Sequence, residues 1–272
     1  KKNQRIFKFT KMKKYFVIGN PINHSLSPKL HNYWLKKNKI DAFYEKIKLD
    51  ETEIENFISK IRSQKINGCN VTVPFKKTVI PFLDKLSLEA ERTQSVNTIY
   101  FHSGNLIGHN TDIGGFQKAI NNLNYSVKNK KILILGAGGV VPSIIYALNK
   151  MEAHEITVSN RTHKKAENLK SQFNKINIVN WGEVPDFDMI INATSLGLNN
   201  ETINLDTSNI SDVKLFFDVI YNPSETSFLK EAKKLGHRTE NGKLMFVYQA
   251  FEAFKLWHEI KPSVNNEVLN LL

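Results

Sequence analysis

Lys131-Ile-Leu-Ile-Leu-Gly-Ala-Gly-Gly-Val140 carries the strongest structural signal in the chain. From Ile132 to Leu135 every side chain is apolar, as in a strand covered on both faces, and such strands belong inside parallel sheets. A glycine-rich turn follows at once, and a helical pattern runs from Val141 to Met151. Strand, loop and helix therefore fall in the order of a dinucleotide-binding βα unit, where glycines let a pyrophosphate approach backbone N–H groups at a helix N-terminus. A glycine turn after a strand is weak by itself; in this order it favours cofactor binding over a tight turn. Gly136, Ala137, Gly138, Gly139 and Val140 form the candidate cradle. Val141 holds the fingerprint position where glycine or alanine is usual, which loosens the expected helix-to-sheet contact.

Downstream the alternation continues with strand Glu155–Ser159, helix Lys164–Phe173, and strands Ile176–Val179, Met189–Ile191 and Leu215–Val219. That order specifies a doubly wound, Rossmann-type parallel sheet. The strand ending at Ser159 leads into Asn160-Arg-Thr162, about where the ribose-reading residue should stand. An NAD site would place a carboxylate there, but this chain has Arg161, with Lys164 and Lys165 one turn later. A guanidinium can take a 2′-phosphate bidentately and can stack on adenine. A lone lysine here would read as a solvated helix start. Arg161, Lys164 and Lys165 together point to NADP rather than NAD.

Upstream, β-type runs at Tyr15–Ile18, Phe43–Ile47, Asn70–Val73 and Asn97–Tyr100 alternate with helical patterns at Pro28–Asn38 and Glu51–Arg62. The second helix opens with acids and closes with Lys60 and Arg62, complementing its dipole. Ser103-Gly-Asn105 marks a hairpin turn. At the far end, Leu244, Val247, Phe251 and Phe254 recur at helical spacing within a helix from Gly242 to Trp257. The expected architecture is two α/β lobes. A substrate lobe spans residues 12–111 and is completed by C-terminal helices over 242–272. A Rossmann-type cofactor lobe spans 112–241, and residues 1–11 form a basic extension before Met12.

The 272 residues are 41% hydrophobic and 24% charged, which is globular and excludes a disordered or collagenous chain. A formal charge of +12 raises a nucleic-acid reading. Yet residues 1–14 hold seven of the cations and no acid, and the whole chain has only five arginines, a poor set for bidentate phosphate or base contacts. The extension has no apolar core of a secretory leader. One cysteine, Cys69, excludes an intrachain disulfide and a zinc knuckle, and fits a reducing cytoplasm. No apolar run is long enough to span a bilayer. The eight histidines lack metal-ligand spacing. Asn192-Ala-Thr-Ser195 is not a nucleophile elbow, and Cys69, inside a strand, reads as packing.

Two loops of the first lobe have chemical potential. Ser25 and Ser27 stand two apart at a helix entrance before Pro28, so Ser27 reads as an N-cap and the pair as a carboxylate clamp, two compatible roles. Gly68-Cys-Asn-Val-Thr-Val-Pro-Phe-Lys76 ends a strand with a lysine that composition alone cannot distinguish from surface charge. The assembled blocks resemble the shikimate dehydrogenase family, whose members reduce 3-dehydroshikimate with NADPH in aromatic amino-acid biosynthesis. The resemblance rests on Gly19-x-Pro21, His24-Ser-x-Ser-Pro28-x-x-His31-Asn32, Asn70-Val-Thr-Val-Pro-Phe-Lys76, Ser95-Val-Asn-Thr98 and Gly108-x-Asn-Thr-Asp112. It continues through Gly136-Ala-Gly-Gly139, Asn160-Arg-Thr162, Asn192-Ala-Thr-Ser-x-Gly197, Asp218-x-x-Tyr221-x-Pro223 and Gln249-Ala250. Each block is modest, but their order over residues 17–257 is specific.

The resemblance implies that Ser25 and Ser27 bind the substrate carboxylate, that Thr72, Asn97, Tyr221 and Gln249 hold the ring and its hydroxyls, and that Lys76 and Asp112 are the catalytic pair. It places Val219 and Gly242 near the nicotinamide. Asp112 alone would read as an N-cap of a helix after Ile113. Hydride delivery to a ketone leaves charge on oxygen, which a lysine ammonium can neutralise and protonate. The chain departs from the family at Val140, Val141 and Pro142, and at Leu88, where many members carry an acid. The implied partners are shikimate and 3-dehydroshikimate, with no metal, nucleic acid or membrane, in a monomer or homodimer. Three alternatives stay open: a quinate/shikimate dehydrogenase using NAD or NADP, a non-catalytic NADP-binding paralogue, and a nucleic-acid-binding protein.

Overall fold

The computed structural model describes residues 12–199, 201–205, 210 and 212–272. The basic extension expected over residues 1–11 lies outside them. The first sheet is built from β1 (Lys13–Gly19), β2 (Ala42–Lys48), β3 (Gly68–Val71), β4 (Lys85–Leu86), β5 (Thr98–His102) and β6 (Asn105–His109), in the order β2-β1-β3-β5-β6-β4. β2, β1 and β3 run parallel, and β5 pairs antiparallel with both β3 and β6. The expected hairpin joins β5 and β6 through Ser103 and Gly104, both at positive φ (50° and 80°), the backbone that a two-residue turn between twisted strands requires.

The second sheet holds β7 (Lys131–Leu135), β8 (Glu155–Ser159), β9 (Asn177–Val179), β10 (Met189–Asn192), β11 (Leu215–Asp218) and β12 (Arg238–Glu240). Its order is β12-β11-β10-β7-β8-β9, and all its pairings are parallel. Sequence order runs outward in opposite directions from the β7–β10 pair, so the crevice beyond their C-terminal ends is the switch point where such sheets bind ligands. The reading of Ile132–Leu135 holds residue by residue. Ile132 and Ile134 enter the core on one face, and Leu133 and Leu135 enter the core on the other.

Around the sheets lie α1 (Ser27–Lys37), α2 (Ile54–Arg62), α3 (Leu88–Thr93), α4 (Asp112–Asn122), α5 (Val141–Lys150), α6 (His163–Gln172), α7 (Ser227–Lys234), α8 (Lys243–His258) and α9 (Asn266–Leu271). α2 is shorter than the acid-to-base pattern suggests: Glu51–Glu53 form a 3₁₀ turn, closed by Asp50 and Glu53 in a capping box. The strand expected at Asn70–Val73 starts earlier, at Gly68, and stops at Val71, because Thr72–Lys76 turns away through Pro74. On α8 the buried stripe is Met245, Val247, Ala250, Ala253 and Phe254, while Leu244 and Phe251 are half-buried. Met245 packs into the core of the second sheet; Val247, Ala250 and Phe254 pack beside Tyr15, Val17 and Trp34 of the first. α4 crosses α8 closely at Gly115, where an added Cβ would sit 2.9 Å from Gln249 N and Met245 O. Among the described residues, no helix is long and apolar enough to cross a membrane.

Candidate active site

The loops leaving β1, β3, β6 and β11 converge with the start of α8 on a cavity of about 330 Å³. Its walls hold Ser25, Ser27, Thr72, Lys76, Asn97, Asp112, Val140, Val219, Tyr221, Gly242 and Gln249, so residues separated by more than two hundred positions meet in one place. His24, Asn70, Met245 and Phe246 line it as well, although nothing in the sequence gave them a role. Asn70 stood in plain view at the head of the Lys76 block.

At the centre, Lys76 Nζ donates to Asp112 Oδ2 at 2.5 Å. Asn97 Nδ2 donates to the other oxygen, Asp112 Oδ1, at 2.8 Å, and also to Thr111 Oγ1 at 2.9 Å. Asn97 is fixed in turn, since its Oδ1 accepts the Thr111 N–H at 2.8 Å and the Thr98 hydroxyl at 3.0 Å. Asn70 Nδ2 donates to Thr98 Oγ1 and to the Asn97 carbonyl, and its Oδ1 accepts the Tyr44 phenol at 2.7 Å. Tyr44 is held from behind by the stacked ring of His31, 4.2 Å away and nearly parallel. Burial, with His258 nearby, lowers the His31 pKa to about 3, so this imidazole is neutral. The hydrogen-bonded chain from Tyr44 through Asn70 and Asn97 to Asp112 fixes these side chains to one geometry.

Two capping readings are corrected. α1 begins at Ser27 itself, with Leu26 as N-cap and no side-chain cap, while the Ser27 N–H reaches Ser25 Oγ at 3.3 Å. The first-turn N–H groups carry the helix's partial positive charge, and no acid stands in that turn. Asp112 is likewise the first residue of α4 and not its N-cap, which is Thr111. Its carboxylate is committed to Lys76 and Asn97.

The remaining cofactor candidates lie outside this cavity, along the adjoining edge of the second sheet. Gly136 N–H donates to Ser159 O at 2.8 Å, which sets the glycine loop beside the Asn160–Lys165 turn. Gly136 requires its glycine: its φ is +110°, and a Cβ would meet Ala193 O at 2.8 Å. Gly138 and Gly139 are exposed, and a Cβ on Gly139 would meet no protein atom within 4 Å. No neighbour in the chain demands a glycine there. Ala137 is half-buried; Val140 reaches the cavity. Asn160 Nδ2 bonds Thr162 O at 2.8 Å, shaping the turn from which Arg161, Lys164 and Lys165 extend into solvent. An open glycine loop at a helix start with cations beyond the next strand fits a phosphorylated dinucleotide.

Val219 and Gly242 meet backbone to backbone, and Gly242 N–H donates to Ile220 O at 3.0 Å. A Cβ at Gly242 would lie 2.1 Å from Val219 O. Gly242→Ala is therefore expected to force the start of α8 away from β11, destabilising the protein by about 1–3 kcal/mol as overpacking does. Thermal unfolding together with a substrate titration will register both the loss and the weakened site. The loop beyond β11 is shaped by Asp218, whose buried carboxylate accepts from Thr226 Oγ1 at 2.6 Å, Ile220 N at 2.9 Å and Asn192 Nδ2 at 3.1 Å. Burial raises its pKa against these hydrogen bonds. Tyr221, at the end of that loop, stacks on Phe246 at 4.4 Å, and burial raises its phenol pKa. Gln249 turns its amide back on its own helix, to Phe246 O at 2.9 Å. Cys69 is buried in β3, where burial raises the thiol pKa, so it packs and does not react.

The Lys76–Asp112 pair lines a cavity that Val140, at the end of the glycine loop beside the switch point of the second sheet, also reaches. This is the construction of a two-domain α/β dehydrogenase. The sequence matches the family described as shikimate dehydrogenase substrate binding domain over residues 17–99 and that described as shikimate / quinate 5-dehydrogenase over residues 117–223. It is 61% identical to the shikimate dehydrogenase (NADP(+)) of Pelagibacter ubique over 96% of this chain and 99% of that protein. The shikimate dehydrogenase structure from Aquifex aeolicus superimposes with a TM-score of 0.87 at 36% identity, covering 95% of this chain and 96% of that one. The Thermus thermophilus shikimate 5-dehydrogenase, in complex with NADP(H) and shikimate, gives 0.87 at 30% identity over 96% and 98%. The chain belongs to the shikimate dehydrogenase family.

Proposed function

We propose that the chain catalyses the reversible NADPH-linked reduction of 3-dehydroshikimate to shikimate, with Lys76 and Asp112 as the catalytic pair. The observation that carries this reading is the Lys76–Asp112 contact of 2.5 Å in the wall of a cavity lined with hydroxyls and amides. NADPH, when bound, supplies the hydride. Lys76 gives its proton to the oxygen that becomes the hydroxyl, and in the reverse direction takes it back. Asp112 holds the ammonium on the substrate side, and Asn97 keeps the Asp112 carboxylate from turning. Ser25 and Ser27 at the start of α1 receive the substrate carboxylate, which the helix dipole favours. Thr72, Asn97, Tyr221 and Gln249 hold the ring. Gly136–Val140 would hold the pyrophosphate, and Asn160, Arg161, Thr162, Lys164 and Lys165 the phosphorylated ribose, with Val219 and Gly242 facing the nicotinamide.

We place the substrate lobe over residues 12–111 and 242–272 and the cofactor lobe over 112–241, since α4 packs Phe116 and Ile120 into the core that contains β7 and α5. We place the chain in the cytoplasm, which its buried lone cysteine suits, acting on small molecules as a monomer or homodimer. The test is NADPH formation from shikimate and NADP, followed by absorbance, with NAD in a parallel assay. Robust turnover with NADP is expected. A folded protein that binds NADP and shows no turnover overturns the assignment in favour of a non-catalytic NADP-binding protein.

A further inference from the structure

Asn110 lies between β6 and α4 and is only 1% exposed. Its polar atoms reach three different elements. Nδ2 donates to Thr93 Oγ1 at the end of α3 and to Ser143 Oγ in the first turn of α5, each at 2.9 Å. Oδ1 accepts the backbone N–H of Asp112 at 3.2 Å. The Thr93 hydroxyl is itself anchored, donating to Glu89 O at 2.6 Å. Ser143 is fully buried three residues into the helix that follows the glycine loop. Ser143 Oγ and the Asp112 N–H would be left unpaired in the interior if Asn110 lost its amide, and the Thr93 hydroxyl would keep only Glu89 O.

The placement matters because of what holds Asp112. Both partners of its carboxylate, Lys76 and Asn97, come from loops of the first sheet. Its backbone is tied by the Asn110 amide to α5, the helix at whose start the dinucleotide is expected. We propose that Asn110 is a positioning residue that sets the catalytic aspartate against the cofactor-binding helix, so that one buried side chain fixes the distance between proton transfer and hydride transfer. The inference rests on the reading of Lys76 and Asp112 as the catalytic pair. A misplacement of about 1 Å between reacting groups costs on the order of a hundredfold in rate, so a small shift of α4 against α5 is enough to be measured.

The test is a double-mutant cycle with Asn110→Ala, Ser143→Ala and the double variant, reading kcat, both KM values and the NADP dissociation constant by titration. Asn110→Ala is expected to lower kcat by roughly 10- to 100-fold, Ser143→Ala by a smaller factor, and neither to change NADP affinity by more than about twofold. The double variant is expected to be no slower than Asn110→Ala alone, since the two residues act through one contact. Multiplicative losses, or a fall in melting temperature with kcat intact, overturn the proposal. Should Asn110→Ala fail to fold, Asn110→Ser, which keeps a short acceptor for the Asp112 N–H, takes its place in the cycle. Lys76→Ala, assayed alongside, separates the two failures. An active Lys76→Ala removes the catalytic reading itself, whereas an inactive one beside an uncoupled cycle removes only the role of Asn110.

Discussion

Lys76→Ala lowers shikimate oxidation by about a hundredfold or more, the usual loss when a positioned acid–base group is removed, and leaves NADP affinity near that of the wild type. The reasoning starts from burial. The Lys76 and Asp112 side chains are only 13% and 9% exposed, so water cannot freely stand in for the ammonium. Without it, the oxygen of the reacting carbon faces Asp112, an acceptor with the wrong sign to stabilise a developing alkoxide. Truncation also strips a buried carboxylate of its cation, and breaking such a pair costs roughly 3–5 kcal/mol of stability. Asn97 still holds Oδ1, which softens that loss. Circular dichroism and thermal unfolding must therefore accompany the kinetics, and Lys76→Met, which keeps the volume, serves where the alanine variant melts early. A folded variant as fast as wild type would keep the reaction and remove the lysine from its mechanism.

How far the sequence revealed this site depended on whether a residue announced itself locally. Ile132–Leu135 did: four apolar positions in a row admit one environment, and both faces of β7 are buried accordingly. Arg161 is read from the strand just before it, and it stands exposed beyond β8. α8 was visible as a helix, and Val247 and Phe254 are buried as expected, but Leu244 and Phe251 are only half-buried, and Met245, Ala250 and Ala253 bury small or flexible side chains that a search for large hydrophobics passes over. Asn70, Tyr44 and Asn110 gave no signal of a role, since each works through partners far away in sequence. The Tyr44–Asn70 bond spans 26 positions and Asn110–Ser143 spans 33. Short polar elements such as β4, α3 and β12 lack a period long enough to read. The capping residues were misplaced for a related reason. A Ser or an Asp at a helix start reads as a cap, but in Ser27 and Asp112 a cavity has taken the side chain.

Arg161→Ala raises the KM for NADP by about 10- to 100-fold, the equivalent of one charge-assisted hydrogen-bonding group at 1.5–3 kcal/mol, and leaves the KM for NAD nearly unchanged. The two cofactors differ only in the 2′-phosphate, so the ratio isolates the contact with that group. Several features favour Arg161 over its neighbouring cations for this role. Lys164, one turn later, is shared with Glu167 at 3.4 Å, and His163 faces the same carboxylate at 3.9 Å. Among the described residues no carboxylate pairs with Arg161, which stands exposed beyond β8 beside the Gly136 loop. A planar guanidinium also makes two parallel hydrogen bonds to a phosphate where an ammonium acts as a point charge. Added salt should narrow the gap between wild type and variant, because the attraction at an exposed site is screened. Equal losses with NADP and NAD would mean that Arg161 works on the adenine face common to both, and the phosphate would then fall to Lys164 and Lys165. Arg161→Glu sharpens the discrimination: repulsion should abolish measurable saturation with NADP while NAD, lacking the phosphate, still reaches the site.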